Sequence, residues 1–269
     1  MIIAHAIIEC MQSDEGTVDR IVLVDKPAGM SSFGVVARVR GKLREEYGKK
    51  IKVGHTGTLD PFATGLLIIL TGKMTKKSAE FLKLDKEYVA TMRLGYTSTT
   101  GDPEGQITPY AISGQCASWA DGRCTRREYV GRLAERTDEQ QNGQENVGKF
   151  QGEKIPSSER IEEVAKSFVG RIEQTPPKYS AIKINGERAY KLARKGEDFE
   201  MPSREVEIYE IEVLRYNWPE LEVRCKVSSG TYIRTLAVDI GTKLGVGAYL
   251  TELRRTRVGE YSVEDAVKL

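Results

Sequence analysis

One stretch of the chain has residue types at a spacing that could do chemistry. Gly54-His55-Thr56-Gly57-Thr58-Leu59-Asp60-Pro61-Phe62-Ala63-Thr64-Gly65 holds three glycines, one histidine and one carboxylate, and the apolar run Leu66, Leu67, Ile68, Ile69, Leu70 follows at once. Glycine tolerates positive φ and lets the main chain approach a ligand, and a proline biases the residue before it towards extended backbone. The apolar run reads as a buried strand. The pattern predicts a loop shaped by its backbone, docked on that strand and presenting Asp60 to a ligand. By residue type alone, Asp60-Pro61 also reads as an ordinary turn, and His55 as a structural histidine as well as a ligand contact.

A chain of 269 residues with 39% hydrophobic content is long enough to bury a large core. Lys and Arg number 41 against 39 Asp and Glu, a net charge of +2, so overall charge does not announce a nucleic-acid partner. Basic residues cluster instead, at Lys49-Lys50-Ile51-Lys52, at Lys73, Lys76 and Lys77, between Arg123 and Arg127, and at Arg254-Arg255-Thr256-Arg257. Each reads as a phosphate-binding patch or as a solvated turn. The cysteines, at 10, 116, 124 and 225, form no C-x-x-C pair and the histidines are His5 and His55, so the spacing offers no metal site. The apolar start is too short to span a membrane and lacks the marks of a secretory signal. A soluble, cytoplasmic protein with reduced thiols is expected.

The elements that must position Asp60 flank its loop. Residues 21–24 read as a strand ending in the turn residues Asp25-Lys26-Pro27-Ala28-Gly29. Ser31 or Ser32 caps a helix to about Tyr47, with Val36, Val39 and Leu43 at helical spacing, and Gly48 ends it. After strand 66–70, Gly72-Lys73-Met74 departs from a Walker nucleotide loop in its glycine spacing and in Met74, where a Ser or Thr is needed. A helix over about 74–82 precedes a half-buried strand over 86–94, in which Tyr88 reads by type as a core aromatic. Residues 97–104 read as a polar loop. Residues 111–154 read as a weakly structured insertion, being rich in Gln, Asn, Glu and Gly after Arg136.

The second half predicts a helix from Ser157 or Ser158 to Phe168, a hairpin turn at Asn185-Gly186 and a short helix over 190–194. A bulged strand from Arg204 follows, with an antiparallel partner carrying Leu221, Val223, Cys225 and Val227. A helix opens at Ser228-Ser229-Gly230 with Tyr232 and Arg234 in its first turn, then come a strand near 249–253 and a helix capped at Ser262. This order predicts an α+β fold, a large mixed or antiparallel sheet with flanking helices, in one domain over 1–269 with an N-terminal extension over 1–20.

The loop string resembles the catalytic loop of the TruB-type tRNA pseudouridine synthases. So, in order, do Asp25-Lys26-Pro27-Ala28-Gly29-Met30-Ser31-Ser32, Lys86-Glu87-Tyr88, Leu94-Gly95, Pro177-Lys178-Tyr179-Ser180-Ala181-Ile182-Lys183, Gly230-Thr231-Tyr232-Ile233-Arg234-Thr235 and Leu253-Arg254-Arg255. The likeness covers about 21–267. It implies the pseudouridine synthase core with an active-site cleft across the middle of the sheet, Asp60 as the nucleophile and Arg234 as its ion-pair partner. It also implies that His55, Tyr88, Tyr232 and Leu253 surround the substrate uridine, with Lys26 and Tyr179 in framework motifs. A buried nucleophilic carboxylate needs such a cation to stay ionised, and an Arg fork can hold it at two points.

The resemblance implies isomerisation of uridine to pseudouridine in the T-loop of tRNA, at position 55, with the T-arm as partner and no obligate protein partner. No cofactor is expected, because the reaction has no net redox change. Two other readings share parts of the pattern: a non-catalytic RNA-binding module on the same fold, and a guide-RNA-dependent synthase subunit. The first does not need the Asp60 and Arg234 pair. The second carries an added C-terminal PUA-type domain, for which no residues are expected after Leu269.

Overall fold

The computed structural model describes residues 18–110 and 155–269, so the expected insertion over 111–154 and most of the expected N-terminal extension lie outside the described residues. The first half runs β1 (Ile21–Lys26), α1 (Ser32–Tyr47), β2 (Val53–His55), β3 (Thr64–Thr71), a 3-10 turn (Gly72–Lys77), α2 (Ser78–Lys83), β4 (Lys86–Leu94), β5 (Tyr96–Ser98) and β6 (Ile107–Pro109). The second runs α3 (Ser158–Lys166), β7 (Gly170–Gln174), β8 (Lys183–Ile184), β9 (Glu187–Arg188), α4 (Ala189–Lys195), β10 (Arg204–Asn217), β11 (Glu220–Val227), α5 (Ile233–Leu244), β12 (Ala248–Val258), β13 (Tyr261–Ser262), a 3-10 turn (Val263–Asp265) and β14 (Val267–Lys268).

Among the described residues, ten strands form one mixed sheet in the order β14-β1-β3-β12-β4-β11-β10-β7, with β2 on β3 and β13 on β12. The pairs β1/β14 and β3/β12 are parallel, and the others are antiparallel. The expected α+β architecture is present. No described helix is long and apolar enough to cross a membrane.

The apolar run of β3 has a direct physical reason. Leu67 and Ile69 face the core under α1, with Val35, Val36, Val39 and Leu43, while Leu66, Ile68 and Leu70 face a second core with Phe81, Val258 and Val263. A strand buried on both faces shows no alternation. A third core joins α3 and α5 to β4, β10 and β11, through Ile161, Ile240, Met92, Ile208 and Val223. Cys225 lies in it as a free thiol, and burial pushes its pKa up to about 12.

Local chemistry places the boundaries of α1. The Ser31 hydroxyl accepts the Gly34 N–H, and Gly48 closes the helix in the left-handed conformation at φ 64°. β10 carries the expected bulge between Ile208 and Glu210, and a second between Val213 and Arg215. Four expectations change. The expected helix over 74–82 is a 3-10 turn followed by the short α2, since no cap side chain starts a longer helix. Residues 97–104 are not wholly loop, because Thr97 and Ser98 pair with Thr108 and Ile107. The helix expected to reach Phe168 ends at Lys166. Ser262 does cap by accepting the Glu264 N–H, but only a 3-10 turn follows before β14 joins β1.

Candidate active site

The loop over 56–63 leaves β2 and returns as β3 at a fork in the sheet. β3 pairs with β2 over 69–71 and with β12 only at Thr64 and Gly65. The loop fills the gap, and both its ends and its middle are tied. Thr56 N–H donates to the Ile68 carbonyl at 3.0 Å, and Ala63 N–H to the Asp60 carbonyl at 3.1 Å. The Ser32 hydroxyl donates to the Leu59 carbonyl at 2.9 Å and accepts the Leu59 N–H at 2.8 Å. The Pro61 carbonyl receives the Gly29 N–H at 2.8 Å and the Lys26 ammonium at 3.1 Å. Leu59 and Ala63 are buried in the core beneath β4 and β12, the middle of the sheet.

Two of the three loop glycines are conformationally required. Gly57 has φ 95° and Gly65 has φ 100°, and a Cβ on Gly65 would sit 2.3 Å from the Arg255 carbonyl oxygen. Gly54 differs from expectation, having no positive φ and open space where a Cβ would point.

Asp60 meets Arg234 as the resemblance implies, with Arg234 Nε 3.0 Å from Asp60 Oδ2. The two-point hold is not formed. The terminal nitrogens of the guanidinium go elsewhere: Nη1 donates to Asp102 Oδ2 at 3.0 Å and the Thr100 carbonyl at 3.1 Å, and Nη2 to the Tyr179 carbonyl at 2.8 Å. One buried cation is thus shared between two carboxylates. Asp102, also buried, uses its other oxygen to accept the Thr100 hydroxyl and the Glu104 N–H. Sequence reading passed over Asp102 inside the polar 97–104 stretch. Its Gly101-Asp102-Pro103 setting repeats the Gly-rich Asp-Pro pattern around Asp60, which was the available signal.

The helix carrying Arg234 is anchored by a side chain from β7. Gln174 accepts the Tyr232 N–H at 2.8 Å and donates to the Tyr232 carbonyl at 3.0 Å, doing the work of a cap that Tyr232 itself lacks. Tyr232 therefore stands at the N-cap rather than within the first turn, with the Arg204 guanidinium 4.9 Å from its ring centroid.

Burial pushes the Asp60 carboxyl above the ordinary carboxylate range; Arg234 and, less strongly, Lys26 oppose the shift, and Asp102 adds to it. Lys26 is fully buried, its ammonium donating to the carbonyls of Pro27, Met30 and Pro61. Burial lowers its pKa to about 8, against the pull of Asp60 and Glu104. The lysine thus belongs to the scaffold of the loop and also bears on its charge. His55 is pushed below its usual pKa by burial and then by Arg255, and its Nδ1 is buried without a hydrogen-bond partner among the described residues. Tyr88 and Leu253 are buried on the neighbouring strands β4 and β12, 8% and 7% exposed. Tyr179 contributes its backbone carbonyl to Arg234 while its side chain is 38% exposed.

Two of the basic clusters sit in different settings, and the cluster over 123–127 lies outside the described residues. Arg40, Lys50 and Lys52 line an open depression beside β2. The 254–257 cluster is split, with Arg257 exposed and the other two arginines engaged by partners within the protein. Arg254 grips Asp25 at two points, 3.0 and 2.9 Å, and Arg255 is 1% exposed.

Comparison with known proteins places the chain in a family. The family model described as TruB family pseudouridylate synthase (N terminal domain) matches residues 44–119 and 123–233, and that of the tRNA pseudouridylate synthase B C-terminal domain matches 234–269. A protein named tRNA pseudouridine synthase B from Phocaeicola vulgatus is 42% identical over 250 residues, 93% of this chain and 89% of that protein. One of the same name from Aquifex aeolicus is 39% identical over 254 residues, 94% of this chain and 72% of that protein. Among solved structures, a Cbf5-Nop10-Gar1 complex aligns with a TM-score of 0.58 at 28% identity, covering 93% of this chain and 52% of that one. An H/ACA RNP bound to a substrate RNA containing 2'-deoxyuridine aligns at 0.56 and 26%, covering 92% and 50%. The chain thus spans about half the length of those solved chains. With both family models matched across the chain and a relative 42% identical over most of it, the chain belongs to the TruB family of pseudouridylate synthases.

Proposed function

We propose that this chain isomerises uridine to pseudouridine in tRNA, at the T-loop uridine of position 55, with Asp60 as the nucleophile. The observation that carries the reading is the pair itself. Asp60, with its side chain 32% exposed, sits at the tip of a loop tied from every side, against an Arg234 side chain only 5% exposed. A carboxylate fixed in this way and still partly open to solvent is placed to attack a group brought to it. Membership of the family, and relatives named tRNA pseudouridine synthase B, favour tRNA as the substrate.

The reaction breaks the bond from ribose to the uracil nitrogen, turns the base and rejoins it through carbon; the carbon gives up its proton, the nitrogen gains one, and the carboxylate is regenerated. A stacked uridine must first be flipped out, at a cost of a few kcal/mol, roughly, so an apolar wall is needed to receive it. Tyr88 and Leu253, on adjacent strands beside the loop, supply that wall, with Tyr88 stacking on the base and with His55 and Tyr232 at its margins. Asp60 must be ionised, and Arg234 and Lys26 act against the burial that opposes this. Arg40, Lys50 and Lys52, beside the strand that leads into the loop, are placed to meet stem phosphates. The chemistry needs no cofactor.

The test is incubation of the purified protein with an unmodified tRNA transcript, and chemical mapping of pseudouridine. A product at the T-loop uridine without guide RNA or added protein is expected. No product there refutes the reading, and a requirement for guide RNA would favour the guide-RNA-dependent alternative. Asp60→Asn should fold and bind RNA without turnover; residual activity within about tenfold of the parent removes Asp60 from the nucleophile's role.

A further inference from the structure

Arg255 is among the largest side chains buried in this protein, 1% exposed, and among the described residues no carboxylate pairs with it. The charge of Arg255 lowers the pKa of Lys26, Lys86 and His55, and the Tyr88 phenol of β4 is the side chain that hydrogen-bonds to it. A buried cation with no carboxylate to offset its desolvation is costly, and something else in its setting must hold it.

Its position shows what that is. β12 leaves β3 after Gly65, so the Leu66 carbonyl, next along β3, has no strand partner there. Arg255 Nε donates to that carbonyl at 2.7 Å. Across the fork, Nη2 of the same guanidinium donates to the Gly57 carbonyl at 3.1 Å. Gly65 backs onto the Arg255 main chain so closely that a Cβ there would clash, and a Cβ on Gly57 would lie in van der Waals reach of Arg255 Nη1. We infer that Arg255 is a positioning residue for the reaction, a charged wedge that closes the fork between β2 and β12 and pins the loop that presents Asp60. This rests on the reading of Asp60 as the reacting carboxylate. It takes Arg255 out of the phosphate-binding role that its place in a basic cluster suggests.

A planar fork spans two carbonyls on opposite sides of the gap, whereas an ammonium offers no such fixed spread. Arg255→Lys is therefore expected to fold and to bind T-arm RNA within about threefold of the parent, yet lose about a hundredfold in single-turnover rate, as small misplacements of a reacting group do. Amide hydrogen exchange over 56–60 should accelerate, while β10 and β11 stay unchanged. In Arg255→Met the His55 pKa, followed by NMR without RNA, should rise, because the opposing charge has gone. A lysine variant within about threefold of the parent rate, or unchanged exchange over 56–60, overturns the inference. Should neither variant fold, the unmodified protein still decides: its Arg255 Nε proton should give a slowly exchanging NMR signal, and a signal exchanging at the rate of bulk solvent overturns the wedge. The exchange and Nε measurements need no turnover. A parent protein that makes no pseudouridine therefore refutes the proposed function without deciding this point.

Discussion

Replacing Asp102 by Asn isolates how the site divides one cation between two carboxylates. The substitution keeps volume and shape, and Oδ1 still accepts from the Thr100 hydroxyl and the Glu104 N–H. With that oxygen in place, the amide NH2 must face Arg234 Nη1, donor against donor, where a 3.0 Å charged hydrogen bond stood. Such a bond is worth about 1.5–3 kcal/mol. If the whole loss falls on the geometry of Arg234 at Asp60, turnover drops roughly ten- to 150-fold. The stability loss stays below the ~3–5 kcal/mol of a fully orphaned buried charge, because Arg234 keeps Asp60. The pH profile carries an independent sign. Asp102 helps to raise the Asp60 pKa, so neutralising it lets Asp60 ionise at lower pH. Activity that needs ionised Asp60 rises with pH through that pKa, and its acid limb should move to lower pH in Asp102→Asn even as the maximum falls. Single-turnover rates at saturating RNA across pH give both numbers. A rate within about threefold of the parent, or an acid limb moved upwards, would refute the shared-cation account.

Other substitutions test separate parts of the site. Arg234→Lys loses the simultaneous reach to Asp60, Asp102, Thr100 and Tyr179, and turnover at saturating RNA should fall by about two orders of magnitude or more; a rate equal to the parent's shows the pair is misassigned. Ser32→Ala leaves the buried Leu59 N–H and C=O unpaired and should cost about 1–3 kcal/mol in chemical denaturation, and an unchanged midpoint would show the loop is held without it. Changing Lys50 and Lys52 together to Gln should reduce the slope of log affinity against log salt by about 1–2, while Arg254→Gln, whose guanidinium is spent on Asp25, should leave it unchanged. The reverse pattern would move the phosphate contacts to β12.

What could be read from sequence is what local chemistry decides. Ser31 and Gly48 bound α1 because a side-chain acceptor and a left-handed glycine act within a few residues of themselves. The run 66–70 announced a buried strand because burial on both faces removes alternation, and the Gly-rich loop ahead of it marked Asp60. The partners of charges were not legible. Arg254 and Arg255 are adjacent in a basic cluster, yet one reaches Asp25, 229 residues away, and the other is sealed against Gly57 and Leu66. Asp102, in a stretch that reads as polar loop, is buried because Arg234, 132 residues further on, meets it there. A charged side chain in sequence carries the expectation of solvent, and only a partner supplied by a distant strand or helix makes its burial affordable. The position of Asp60 was therefore written locally, whereas its electrostatic setting was decided when β12 and α5 packed around the loop.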